Sequence, residues 1–92
     1  MAQIKKFTNT RYAILEFLYS RKDSNNVARV TQGEISDGIG VNRVTINKLI
    51  SELKQDGFIQ EASHYWEYTL TSKAIALVST IKNADKKISN NS

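Results

Sequence analysis

Arg43, Val44, Asn47, Lys48 and Ser51 stand one, three, one and three residues apart, a rhythm that gathers side chains on one side of an α-helix. Together they offer two cations, a planar amide, a hydroxyl and a small apolar surface. Arg43 can reach a guanine edge or a phosphate, Asn47 can pair its amide with adenine, and Val44 can meet a thymine methyl. Thr45 suits a phosphate contact or a local cap. The same residues also describe an ordinary solvated helix face, so only their setting can decide between the two readings. Bond-making chemistry has no comparable set. No nucleophile with its base, no paired acid and base, and no workable metal-ligand spacing appears in the sequence. Catalytic residues, a metal site, a cofactor and an enzymatic role are therefore not expected.

Those five residues need a helix to hold them, and the sequence predicts one from about Asn42 to Asp56. Ile46, Leu49, Ile50 and Leu53 form an apolar stripe opposite the polar side, Asn42 suits the N-cap, and Gly57 is the expected terminator. Just upstream, Thr31-Gln32-Gly33-Glu34 has the form of a capping box, in which hydroxyl and carboxylate each satisfy a free backbone amide. Ile35 and Ile39 give this helix one face, and Gly38 and Gly40 bracket its end. Gly38-Ile39-Gly40 contains part of a dinucleotide fingerprint, but it lacks the third glycine and the preceding strand, so it reads as a turn. The result is a short capped helix, a tight turn and a second capped helix with a polar, basic outer face: a helix-turn-helix.

The flanking segments complete the arrangement. A first helix is predicted from Thr8 to about Lys22 on Ile14, Leu15 and Leu18, flanked by Tyr12, Phe17 and Tyr19. It is ended by the turn-forming run Asp23-Ser24-Asn25-Asn26. Val27 to Val30 leaves room for a very short strand. Phe58 to Glu61 and Tyr65 to Leu70 read as a hairpin, with Trp66, Tyr68 and Leu70 alternating against Tyr65, Glu67 and Thr69. That alternation favours core packing for Trp66 and Tyr68 over stacking on single-stranded bases. Thr71 can cap a last helix bearing Ala74, Ile75, Leu77, Val78 and Ile81, with a flexible tail expected beyond about Ala84.

At 92 residues, 40% hydrophobic and 24% charged, the chain suits one domain over 1–92 with an ordered core of about 8–84. The absence of cysteine removes disulfides and thiolate metal sites, and the amino-terminal MAQIKKF lacks the apolar run of a signal peptide. A soluble cytoplasmic protein without a membrane partner is expected. The net charge of +4 favours anionic partners without identifying one.

The segment TQGEISDGIGVNRVTINKLISELKQDGFI, followed by a wing strand and YTLTSKA, resembles winged helix-turn-helix regulators of the MarR-like and related bacterial and archaeal type, over roughly Thr8 to Ile81. The resemblance implies an α+β, mostly α fold with a three-helix core, a β-hairpin wing and a C-terminal helix. It further implies double-stranded DNA as the partner, with Asn42 through Ser51 in the major groove and Ala62 through Tyr65 at the backbone. Thr31, Gln32, Asn42, Arg43, Val44, Thr45, Asn47, Lys48, Ser51, Ser63 and His64 are then the expected DNA-binding residues. His64 equally suits an ordinary loop. The wing is short and has no arginine at its tip, a departure that argues against deep minor-groove insertion. The apolar last helix suggests a homodimer built with the first helix, which would match pseudo-palindromic half-sites; the alternative is a core helix. Two other functions fit the same fold: a protein association module, and a plasmid or phage replication or partition factor.

Overall fold

The computed structural model describes the backbone of residues 2–60 and 66–91 and the side chains of 10–60 and 66–84. Helix α1 runs from Ala2 to Arg21, starting before the expected Thr8 because Gln, Ile and Lys are all compatible with a helix and no glycine or proline interrupts them. It ends at a turn organised by Asp23. The Asp23 carboxylate accepts from Asn25 N at 2.8 Å and Val27 N at 3.1 Å, and from Arg29 Nη1 at 2.7 Å. The Arg29 bond, then the two backbone N–H groups, hold this carboxyl down to about 2. Asn26 takes φ 65, a left-handed conformation that asparagine tolerates better than most residues.

Strand β1 follows at Val27–Arg29, then α2 at Gln32–Ile39, α3 at Arg43–Gln55, β2 at Ile59–Gln60, β3 at Glu67–Leu70 and α4 at Ser72–Asn91. The three strands form one antiparallel sheet in the order β1-β3-β2, with Ala28 opposite Tyr68 and Ile59 opposite Leu70. The hairpin expected from the sequence is thus widened by β1, which crosses two helices to reach β3. Glu61 to Tyr65, which hold the expected wing tip with Ser63 and His64, lie outside the described residues. Thr71 closes the β3–α4 junction: its Oγ1 donates to the Gly57 carbonyl at 2.7 Å, and Ala74 N donates to Oγ1 at 3.3 Å. Helix α4 continues past Ala84, since no glycine or proline stops it.

The core gathers Ile14, Leu15 and Leu18 of α1, Ile35 of α2, Ile46, Ile50 and Leu53 of α3, Tyr68 and Leu70 of β3, and Ala74 and Val78 of α4. Each predicted apolar stripe supplies its share, with Leu49 packed at the edge. Trp66 departs from its expected core position and is 39% exposed. It precedes the first strand residue, Glu67, so the alternation that buries Tyr68 and Leu70 does not extend to it.

Helix α1 crowds α2 at Gly38, where an added Cβ would fall 2.4 Å from Cε1 of Phe17. The Phe17 ring packs against the core and carries the Arg21 guanidinium 4.4 Å from its centroid. Gly38→Ala must displace that ring and is expected to lower stability by about 1–3 kcal/mol. In chemical denaturation the combination with Phe17→Leu should cost less than the two single losses added, because the clash is relieved. Strict additivity would show that the ring is not the obstacle.

Candidate nucleic-acid interface

The site is built by two helix starts and the turn between them. Thr31 caps α2 as predicted: Glu34 N donates to its Oγ1 at 3.1 Å, while Thr31 N donates to Glu34 Oε1 at 2.8 Å. At the other end of α2, Gly40 adopts φ 74, a left-handed conformation costly for residues with a Cβ. Its N–H and that of Val41 both donate to the Ser36 carbonyl, at 2.9 and 3.2 Å. Ser36 Oγ in turn donates to the Val41 carbonyl at 2.6 Å, so one serine fastens both strands of the turn. Asn42 then caps α3, its Oδ1 accepting from Thr45 N at 2.9 Å.

With α3 fixed by these caps and by its buried stripe, Arg43, Val44, Asn47, Lys48 and Ser51 are all exposed along its outer side. Val44 is 81% exposed. Asn42 is exposed as well, and Thr45 is half-buried behind it. The first turn of α2 meets this surface from the side. Gln32 Nε2 donates to Asn47 Oδ1 at 3.2 Å, and a Cβ on Gly33 would stand 3.7 Å from Arg43 Cζ. Thr31, Gln32, Arg43 and Asn47 thereby form one continuous patch.

The charges on α3 are sorted in the same direction. Glu52 lies 3.5 Å from Arg11 of α1, and Asp56, just past the helix, also pairs with Arg11. Lys73 donates to the Asp56 carbonyl at 2.8 Å and sits 4.4 Å from the Phe58 ring centroid. Acidic groups at the carboxyl end are matched within the protein, and Arg43 and Lys48 leave the amino-terminal half of the outer face cationic. Beneath it, burial pushes the Tyr68 phenol above its ordinary range, opposed by the nearby Gln32 side chain.

Such an arrangement can bind an anionic, grooved surface. Cations and donors on one convex helix match phosphates and base edges, and a helix of this width fits a B-DNA major groove about 12 Å across. Among the described residues no group of three or more His, Cys, Asp and Glu could hold a metal. Nor is any described helix long and apolar enough to cross a membrane. The sequence reading did not find Ser36, the Gln32–Asn47 bond or the pairing of Arg11. Ser36 alone left a local signal, a serine three residues inside a helix that ends on glycine.

Among the described residues, four helices with a small antiparallel sheet, and a tight turn joining two capped helices, define a winged helix-turn-helix. Residues 12–73 match the Crp-like helix-turn-helix domain, and the chain belongs to that family. No curated protein matches it in sequence. Among solved structures it is similar to MepR, a transcription regulator of the Staphylococcus aureus multidrug efflux pump MepA, with a TM-score of 0.72 and 18% identity over 98% of this chain and 67% of that one. Transcriptional regulator PA3341 aligns with a TM-score of 0.68 and 22% identity, covering 98% and 67%. The S. aureus MepR–DNA complex aligns at 0.67 and 19%, covering 98% and 66%. The chain thus spans about two thirds of the length of these structures, and the winged-helix resemblance read from its sequence holds.

Proposed function

We propose that this chain binds double-stranded DNA as a transcription regulator, with α3 in the major groove and the first turn of α2 on the backbone. The supporting observation is the outer side of α3, where Arg43, Asn47, Lys48 and Ser51 are exposed together while Ile46, Ile50 and Leu53 are buried behind them. MepR has been solved with DNA, which agrees with this use of the fold. Arg43 and Lys48 meet phosphates or a guanine edge, Asn47 meets a base, and Val44 offers a methyl surface. Thr31, Gln32, Asn42, Thr45 and Ser51 border the contact, and Ser63 and His64, which lie outside the described residues, are assigned to the DNA backbone on the sequence reading alone. Each chain forms one winged-helix domain and works in the cytoplasm.

Pairing of two chains through α1 and α4 belongs to the same proposal, since a dimer doubles a small footprint. Ala74 and Val78 are buried within the protomer, so among the described residues of α4 the exposed Leu77, at 36%, and the half-buried Ile81 offer apolar surface for that role.

Gel retardation on random-sequence duplex tests the reading. Nonspecific binding should show a dissociation constant on the order of 10⁻⁴ to 10⁻⁶ M at physiological salt and tighten steeply as salt falls. Absence of any salt-dependent complex would instead favour a protein association module.

A further inference from the structure

The exposed side chains on α3 point away from the protein, but Gln32 is engaged within it. Its Nε2 donates to Asn47 Oδ1 at 3.2 Å, and its side chain lies near the Tyr68 phenol, whose ionised form it favours. An amide nitrogen carries two hydrogens, so the group that bonds Asn47 can also turn a hydrogen toward the phenol. Tyr68 is held in place by the core, 4% exposed and opposite Ala28 in the sheet. Gln32, half-buried, therefore stands between a core tyrosine and an exposed asparagine to which it is bonded.

That tie has a chemical consequence for Asn47. Its amide is planar, with an acceptor at one corner and a donor at the other. Because Oδ1 faces Gln32, Nδ2 faces away from α2, and two N–H hydrogens are what the residue offers to a groove. Adenine presents a donor and an acceptor side by side, so it needs the oxygen that Gln32 already engages. Guanine presents two acceptors, N7 and O6, which match paired donors. Building on the duplex-binding function proposed above, we infer that Gln32 is a positioning residue that sets the base preference of Asn47, turning its amide donors toward the acceptor edge of guanine. This differs from the phosphate-side contact expected of Gln32 and from the adenine pairing expected of Asn47.

Selection from a randomised duplex pool, read position by position, tests this with the wild type, Gln32→Ala, Gln32→Glu and Asn47→Ala. One position should favour guanine on the order of 10-fold in the wild type and fall within about 2-fold of indifference in both Asn47→Ala and Gln32→Ala. A glutamate at position 32 can only accept, so it draws Asn47 Nδ2 inward, leaves Oδ1 outward, and should move the preference to adenine or cytosine. Its added charge weakens all sequences alike and cancels in the ratio. In the free protein, the Gln32 side-chain NH2 resonances should shift in Asn47→Ala and in Tyr68→Phe, a change that keeps the ring in the core.

A preference erased by Asn47→Ala but untouched by both Gln32 variants overturns the inference, as does adenine at that position in the wild type. Gln32 resonances that ignore Asn47→Ala overturn it without reference to DNA. A folded chain that binds no duplex removes the functional proposal and this one with it.

Discussion

Arg43→Ala combined with Lys48→Ala weakens duplex binding by roughly 10- to 100-fold near 0.1 M salt and flattens its salt dependence. Each phosphate contact releases counterions and contributes about 0.9 to the slope of log affinity against log salt, so losing two removes close to two units. If Arg43 instead holds a guanine edge, the slope falls by about one, and the remaining loss, about 1–3 kcal/mol, is confined to sequences carrying that guanine. Fluorescence anisotropy across a salt series separates these cases. Both residues are exposed, and surface substitutions of this kind usually change stability by no more than about 0.5 kcal/mol. The thermal midpoint should therefore stay near the wild-type value. A folded double variant with undiminished affinity at every salt concentration would remove α3 from the interface.

What the sequence disclosed and what it withheld follow from the range of the interactions. Thr31, Asn42 and Gly40 were legible because a cap or a left-handed residue acts within three or four positions of itself. The buried stripe of α3 was legible for the same reason, since its period is internal to the helix. The union of β1 with β3 was not, because Ala28 and Tyr68 are separated by two helices and a three-residue strand carries no pairing signal of its own. Trp66 followed the predicted alternation in type but not in position, because the strand begins at Glu67, two residues after the expected start.

Within the candidate site, the outer face was readable as a set of side chains but not as a network. The Gln32–Asn47 bond joins residues on different helices whose spacing depends on the turn, and that turn depends on Ser36 Oγ reaching Val41. Gly38 illustrates the same limit. It read as a turn glycine, yet Gly40 holds the left-handed position, while Gly38 makes room for a phenylalanine from another helix.

Ile46→Ala provides the complementary test, on the opposite side of the same helix. Ile46 is fully buried, so its truncation loses both the transfer free energy of the missing carbons and the contacts around the resulting cavity, about 2–5 kcal/mol. Against a total stability of about 5–15 kcal/mol for a small domain this is a large fraction. For a chain of this size each kcal/mol shifts the midpoint by about 4–8 °C, so calorimetry should register a fall of about 8 °C or more. Well below its midpoint the variant remains folded and its cationic face is untouched, so the salt slope of duplex binding should match the wild type. Inner and outer residues of α3 thus separate into one group that moves the midpoint and another that moves the affinity. If Ile46→Ala left the midpoint in place but abolished binding, α3 would have to present the opposite side to DNA, and both the packing and the interface described for it would be wrong together.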